Sequence, residues 1–324
     1  MTAIAQRPAL VILASILAIL AMPATAANPP DFAAELDGTW TYDKPAASEE
    51  RFRALLASYP QDDPRSAEIG TQIARAQGLQ RKFAEAHATL DAVLKSLDGL
   101  PAHVRVRYLL ERGRAFNSGG APERAVPLFA EALSLADCAG DSFYAIDAAH
   151  MLGIAAPAAE RLDWNMKALA MAETADDARS KRWLAPLYNN IGYTYQERGD
   201  FAAALVYYRK ALPAYVARGD AEPIRSAKWM IARAQRSLGE LDAAEKTQRE
   251  LLAELDRLGE TDGYVYEELA EIALARGDAT AAKPWAAKAW TALSADEGFR
   301  QSGKARFDRL ATLGAVTPTV AAKP

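Results

Sequence analysis

The chain of 324 residues is predicted to be all-α, an α-solenoid of about six helical hairpins with a capping helix at each end. Three observations carry this. A small residue recurs as Ala74, Gly113, Ala149, Gly192, Ala232 and Ala270, at spacings of 39, 36, 43, 40 and 38 residues. Twelve residues after each stands Ala86, Ala125, Arg161, Ala204, Ala244 or Ala282, and seven further on Val93, Ala132, Ala168, Ala211, Leu251 or Ala289. Small side chains at these places let two antiparallel helix backbones approach closely. Glycine stands between the helices at Gly120, Gly199, Gly239 and Gly277, where the chain must turn through left-handed backbone. No stretch shows the alternation of a strand. A period near 40 means copies of one hairpin, each burying its apolar face only against its neighbours.

In chain order, Arg7 precedes an apolar run from Ala9 to Ala21, and Ala24-Thr25-Ala26 offers a small-residue cleavage site. The run is shorter than the roughly 20 residues of a spanning helix, so residues 1–26 are expected to be a cleaved secretory signal and the protein periplasmic or secreted in a bacterium. The alternative is an inner-membrane anchor through residues 9–21. Residues 27–62 are expected to hold an extended leader, to about residue 46, and a capping helix from Ala47 to Tyr59. Ser48, Glu49 and Glu50 suit the positive start of that helix. Trp40 and Tyr42 are expected to cover the first exposed helix face of the array. The solenoid then spans 63–295, in units at about 66–97, 104–136, 142–173, 184–217, 224–257 and 263–293. The first unit has Arg81 in place of the turn glycine. The third departs most, with Ala156-Pro157 at its turn and Arg161 where alanine belongs. Pro101, Pro223 and Pro284 are placed near helix starts, where a missing amide hydrogen costs little. Residues 296–324 are expected to form a last helix, Glu297 to Leu313, with Phe299, Phe307 and Leu310 on one side, and then a disordered tail.

Composition and motifs exclude more than they assign. A net charge of −4 does not suit a general polyanion binder, so no nucleic-acid partner is expected. The single cysteine, Cys138, cannot form an internal disulfide and is expected to be buried. His87, His103 and His150 lack metal-ligand spacing, and there is no glycine-rich phosphate loop or Gly-x-Ser-x-Gly elbow. The carboxylate pair Glu267/Glu268 is placed on a solvated helix face. No catalytic residue, metal or cofactor is expected. Arg-Gly-Asp at 198–200, 218–220 and 276–278 reads as turn glycine followed by helix-capping aspartate, not as an adhesion motif.

The stretch from Tyr188 to Leu212 carries a resemblance. Tyr188, Ile191-Gly192, Tyr195, Gly199, Ala204, Tyr208 and Ala211-Leu212 stand at the spacing of a tetratricopeptide repeat. Units longer than the usual ~34 residues resemble those of kinesin light chains and many bacterial sensor proteins. The resemblance implies a right-handed stack in which the first helix of each unit lines a concave groove. It also implies which residues face inward. Just after the small site come Arg75, Arg114, His150, Tyr193, Arg233 and Glu271. Asn117, Gln196 and Arg236 follow a turn later, and Arg107, Asn189, Asn190, Trp229 and Met230 come before. Units one to five would present a basic, amide-bearing and aromatic surface, and unit six an acidic one of Glu267, Glu268 and Glu271.

Asn190 stands where peptide-binding members of the family carry an asparagine that hydrogen-bonds an extended ligand's backbone, a task suited to a side chain that both donates and accepts. Trp229, flanked by Arg225, Arg233 and Arg236, offers apolar area beside carboxylate-binding forks. The family's full dicarboxylate clamp is absent. The expected function is non-catalytic binding of a protein or peptide segment, acidic or C-terminal, in the groove. The expected contacts are Asn190, Tyr193, Gln196, Trp229, Arg233, Arg236, Arg114, Asn117 and His150. The alternatives are a structural adaptor in envelope biogenesis or polymer export, and groove binding of a small molecule or glycan.

Overall fold

A computed structural model of the chain describes residues 30–219, 221–295 and 303–315. Among these residues all regular structure is helical. Six hairpins follow one another: α3 (Pro64–Leu79) with α4 (Phe83–Leu94), α5 (Ala102–Ser118) with α6 (Pro122–Cys138), α7 (Ser142–Ala155) with α8 (Arg161–Thr174), α10 (Leu184–Glu197) with α11 (Phe201–Arg218), α12 (Ala221–Ser237) with α13 (Leu241–Leu258), and α14 (Gly263–Ala275) with α15 (Ala279–Leu293). Two helices precede them, α1 (Pro30–Thr39) and α2 (Pro45–Leu56), and α16 (Lys304–Gly314) packs on α15 at the far end. Consecutive helices pack on one another throughout, which makes the chain an all-α solenoid.

The small-residue period works as steric matching. A Cβ on Gly192 would lie 2.6 Å from the Tyr208 ring, and one on Gly113 would lie 2.4 Å from Phe129. Glycine therefore stands where the facing helix brings an aromatic side chain. In the third unit the close approach moves one turn along, to Gly153 against Asn165, whose amide nitrogen donates to the Gly153 and Arg161 carbonyls. Arg161, in the alanine position, turns back to donate to the Ala156 carbonyl. That irregular hairpin still forms.

Turns and caps follow from residue type. The four turn glycines have φ between 77° and 87°, and Arg81 adopts φ 62° in their place. Asp200 and Asp278 of the Arg-Gly-Asp stretches accept from the amides of Ala203 and Ala281, capping α11 and α15.

Several expectations are corrected. The leader expected to be extended contains α1, whose Phe32 and Leu36 are buried with Phe52, Ile69 and Ile73. The capping helix begins at Pro45, so Ser48 lies inside it, and the Ser48 hydroxyl accepts from the Thr41 amide. A one-turn helix, α9 (Ala178–Lys181), fills the longest spacing and packs on α7 and α8. Cys138 is exposed, not buried: it follows Ala136, the last buried residue of α6, by two positions, and ~100° per residue turns it to the opposite side. Pro284 lies in the interior of α15. Glu267 and Glu268 are buried, not solvated. The signal segment, Phe299 and the tail lie outside the described residues. Among the described residues no helix is long and apolar enough to cross a membrane, and no cluster could hold a metal ion.

Candidate binding groove

The first helices α3, α5, α7, α10, α12 and α14 carry polar residues on one face, and these residues meet across units. In units one to three the charged ones pair. Glu68 bonds Arg107 at 2.9 Å, and Arg107 also donates to the Tyr144 hydroxyl. Glu111 takes Arg75 at 3.3 Å and Arg114 at 2.6 Å, and Arg114 reaches on to Asp147. Burial alone would lower the pKa of Arg114, but Asp147 and Glu111 hold its charge and raise it. Alternating charges thus form a ladder along the wall, with each ion opposite its counter-ion.

The far end is also self-paired. Arg236 forks onto Glu268 at 2.7 and 3.1 Å, and α16 supplies Arg306 to Glu267 and Arg309 to Glu271. Burial above all lifts the Glu267 carboxyl above its ordinary value, although Arg306 opposes this. The acidic surface expected on unit six is therefore covered by its own arginines.

Between these ends the wall is open. Tyr193 on α10 is 43% exposed, against 5–8% for Arg107, Glu111, Asp147 and His150 in the preceding units. Arg233 on α12 lies over the Trp229 ring, 5.3 Å from its centroid. Its nearest carboxylate is Glu268 at 3.9 Å, whose oxygens Arg236 already holds. The Tyr208 phenol rises from α11 into the same place. It is 1% exposed, its hydroxyl has no hydrogen-bond partner, and Arg233, Tyr193 and Glu197 act on it electrostatically. Burial pushes the pKa of both tyrosines up, so both stay neutral donors. Gln196, one turn after Tyr193, has a buried amide oxygen without a partner. Arg233 and Tyr208 thus hold unused hydrogen-bonding capacity next to the exposed Tyr193 ring.

The expected contact residues divide accordingly. Tyr193 and Arg233 meet at the open centre, and Gln196 follows Tyr193 by one turn of α10. Asn190 is half-buried there, but its amide lies 3.3 Å from Nδ1 of His150. His150 is buried, its ring 5.0 Å from Trp183, and burial lowers its pKa to about 4, with Arg114 and Arg75 adding to the effect and Asp147 opposing it. Arg114 and Arg236 are spent in ion pairs. Asn117 is half-buried near the end of α5. Trp229 turns toward unit six, donating to the Tyr264 carbonyl at 3.1 Å. It lines a cavity of about 580 Å³ with Arg225, Leu255 and Tyr264 at the edge of the wall. Sequence reasoning did not single out Tyr208 or Glu197. Tyr208 reads as packing, which its ring does, and only the orphan hydroxyl shows its second role.

Residues 185–213 match the tetratricopeptide repeat family model. Among solved structures, a tetratricopeptide repeat protein from Parabacteroides merdae shares 15% identity over 88% of this chain and 99% of that one, with a TM-score of 0.52. PilW, a type IV pilus biogenesis factor, shares 22% identity over 72% of this chain and 97% of that one, at a TM-score of 0.52. The Cut9–Hcn1 assembly of the APC/C is similar at a TM-score of 0.61 and 14% identity, over 88% of this chain, which spans 47% of that one. At these identities the likeness is one of fold. Comparison with curated proteins finds none that matches.

Proposed function

We propose that the chain is a non-catalytic scaffold that holds a carboxylate-bearing protein segment at the centre of its groove. The observation that carries this is Arg233. Among the groove arginines Arg75, Arg114, Arg233 and Arg236, it alone has no carboxylate closer than 3.9 Å, while its neighbours are bonded at 3.3 Å or less. Beside it, Tyr193 offers an exposed ring face, while the Tyr208 hydroxyl and the Gln196 oxygen, both buried and unpaired, would meet a ligand only after neighbouring side chains move aside. The repeat architecture supports the reading, since a curved stack of hairpins presents an extended surface of this kind. Asn190 would serve the ligand backbone by exchanging its contact with His150.

The test is a peptide library displayed with free and with amidated C-termini. Free or acidic termini should be retained by the wild-type chain and lost on Arg233→Gln. Selection of amidated, neutral peptides, or equal retention by Arg233→Gln, would reject the carboxylate site. Export is part of the same proposal and rests on Arg7, the apolar run 9–21 and Ala24-Thr25-Ala26. A periplasmic reporter fusion and N-terminal sequencing should find the mature chain starting at Ala27.

A further inference from the structure

The groove is already half filled, and by the chain itself. Helix α1 is seated by Phe32 and Leu36 against α2 and α3. Beyond that anchor the segment turns its polar and aromatic side chains toward the wall of the first three units. Asp37 reaches Arg179 of α9, 142 residues away, at 3.6 Å. Trp40 donates from its indole nitrogen to Gln72 at 3.1 Å. The Trp40 and Tyr42 rings stack at 4.8 Å with 1° between their planes, and the Arg75 guanidinium lies 5.9 Å from each centroid. Asp37 is close enough to act on Arg107, and Tyr42 on Arg114. Arg75, Arg107 and Arg114 belong to the inward row, and Gln72 stands on α3 three residues before Arg75. One short segment therefore touches the walls of units one and two and the junction of units three and four, as an external ligand would.

We propose that residues 30–43 are a ligand of this groove in cis, and that a partner enters its N-terminal half only by displacing them. The segment displays the chemistry this half accepts: a carboxylate for Arg179, then, three and five residues on, an aromatic pair for Arg75. A displacing partner carries the same acidic-aromatic pattern. This inference stands apart from the Arg233 site, since the two involve different units and different arginines. The anchor and the reach are held by different forces. Phe32 and Leu36 are buried in an apolar cluster. The Asp37–Arg179 pair is part-exposed, with side chains 47% and 31% accessible, and such pairs hold weakly and exchange readily. Trp40 also packs on that cluster and Thr41 is bonded to Ser48 and Arg51 of α2, so the segment opens as a loop tethered at both ends, with the Asp37–Arg179 pair the first contact to part.

The test uses the full chain and a fluorescein-labelled peptide of residues 30–43 as probe. Asp37→Arg and Arg179→Asp, each alone, should speed amide hydrogen exchange across 30–43. Asp37→Arg should also tighten binding of the peptide in trans by about tenfold or more, because a competing internal ligand lowers apparent affinity by the fraction of time it occupies the site; Arg179→Asp should not, because it removes the carboxylate's partner for the peptide as well. The double variant Asp37→Arg/Arg179→Asp should restore slow exchange and exclude the peptide again, a recovery that misfolding would not give. Adding Arg75→Glu to Asp37→Arg should abolish the gained binding. The proposal is overturned if exchange across 30–43 ignores Arg179→Asp, or if the wild-type chain binds the peptide as tightly as the Asp37→Arg chain. Loss of the Arg233-dependent peptides would leave this result unchanged, and the reverse also holds.

Discussion

Lowering the pH should weaken the middle of the solenoid through one side chain, His150. It is buried on α7, with Nδ1 facing the Asn190 amide, its ring on Trp183, and the charges of Asp147, Arg114 and Arg75 around it. The Asn190 nitrogen is a donor, so Nδ1 must accept and the neutral ring carries its proton on Nε2. Burial, reinforced by Arg114 and Arg75, brings the pKa down to about 4 in the folded chain. The unfolded chain protonates near 6.5. Between those values the unfolded state binds more protons, so stability is full above about pH 6.5 and falls as the pH drops toward 4. At about 1.4 kcal/mol for each pH unit, the whole window is worth about 3 kcal/mol, a large part of the stability of a typical domain. Glu49, Asp63 and Asp177 also have lowered pKa values and add their own losses in acid, so the comparison must be with a variant. His150→Gln keeps an acceptor for Asn190 and cannot titrate. Urea midpoints from pH 4.5 to 7.5 should fall more steeply for wild type than for His150→Gln, with the extra loss confined to α7 and α10 in hydrogen exchange. Parallel curves for the two chains would refute the reasoning.

Three further outcomes are expected. Gly192→Ala should cost about 1–3 kcal/mol of overpacking because its Cβ would meet the buried Tyr208 ring at 2.6 Å; the cost should shrink in a Tyr208→Leu background, and an equal cost in both would count against the steric matching. Arg236→Met/Arg233→Met should lower stability by about 3 kcal/mol by stranding Glu268, which is 3% exposed and, among the described residues, has no other arginine within 4 Å, and adding Glu268→Gln should recover most of the loss if the stranded charge is the cause. Arg81→Gly should raise stability by about 1 kcal/mol, since arginine is strained at φ 62°; a lower midpoint in thermal unfolding would show that the guanidinium over Phe83 matters more than the backbone.

The repeat was legible because it is written in local steric terms. A glycine that must admit a tyrosine ring sixteen residues later, and a turn that needs positive φ, leave marks on the residues themselves. The third hairpin forms although its close contact lies at Gly153 and not at Ala149. The first helix was missed because Pro29, Pro30, Asp31 and Asp37 read as a leader, while its apolar pair, Phe32 and Leu36, gains meaning only against Ile69 and Ile73. Helix α9 was missed because a single turn carries no periodic signal.

What the sequence determined by itself, then, is the scaffold: an all-α stack of helical hairpins. Tertiary structure alone decided what that groove offers. Residues 32 to 39 apart in sequence become neighbours only through the stacking of units, so Arg114 and Arg236 are already paired by Asp147 and Glu268. Arg233, on the same helix as Arg236, is left over because Glu268 can hold one guanidinium in a fork and not two. Charge pairing depends on distance in space, and no local pattern in the chain encodes which of two nearby arginines arrives first.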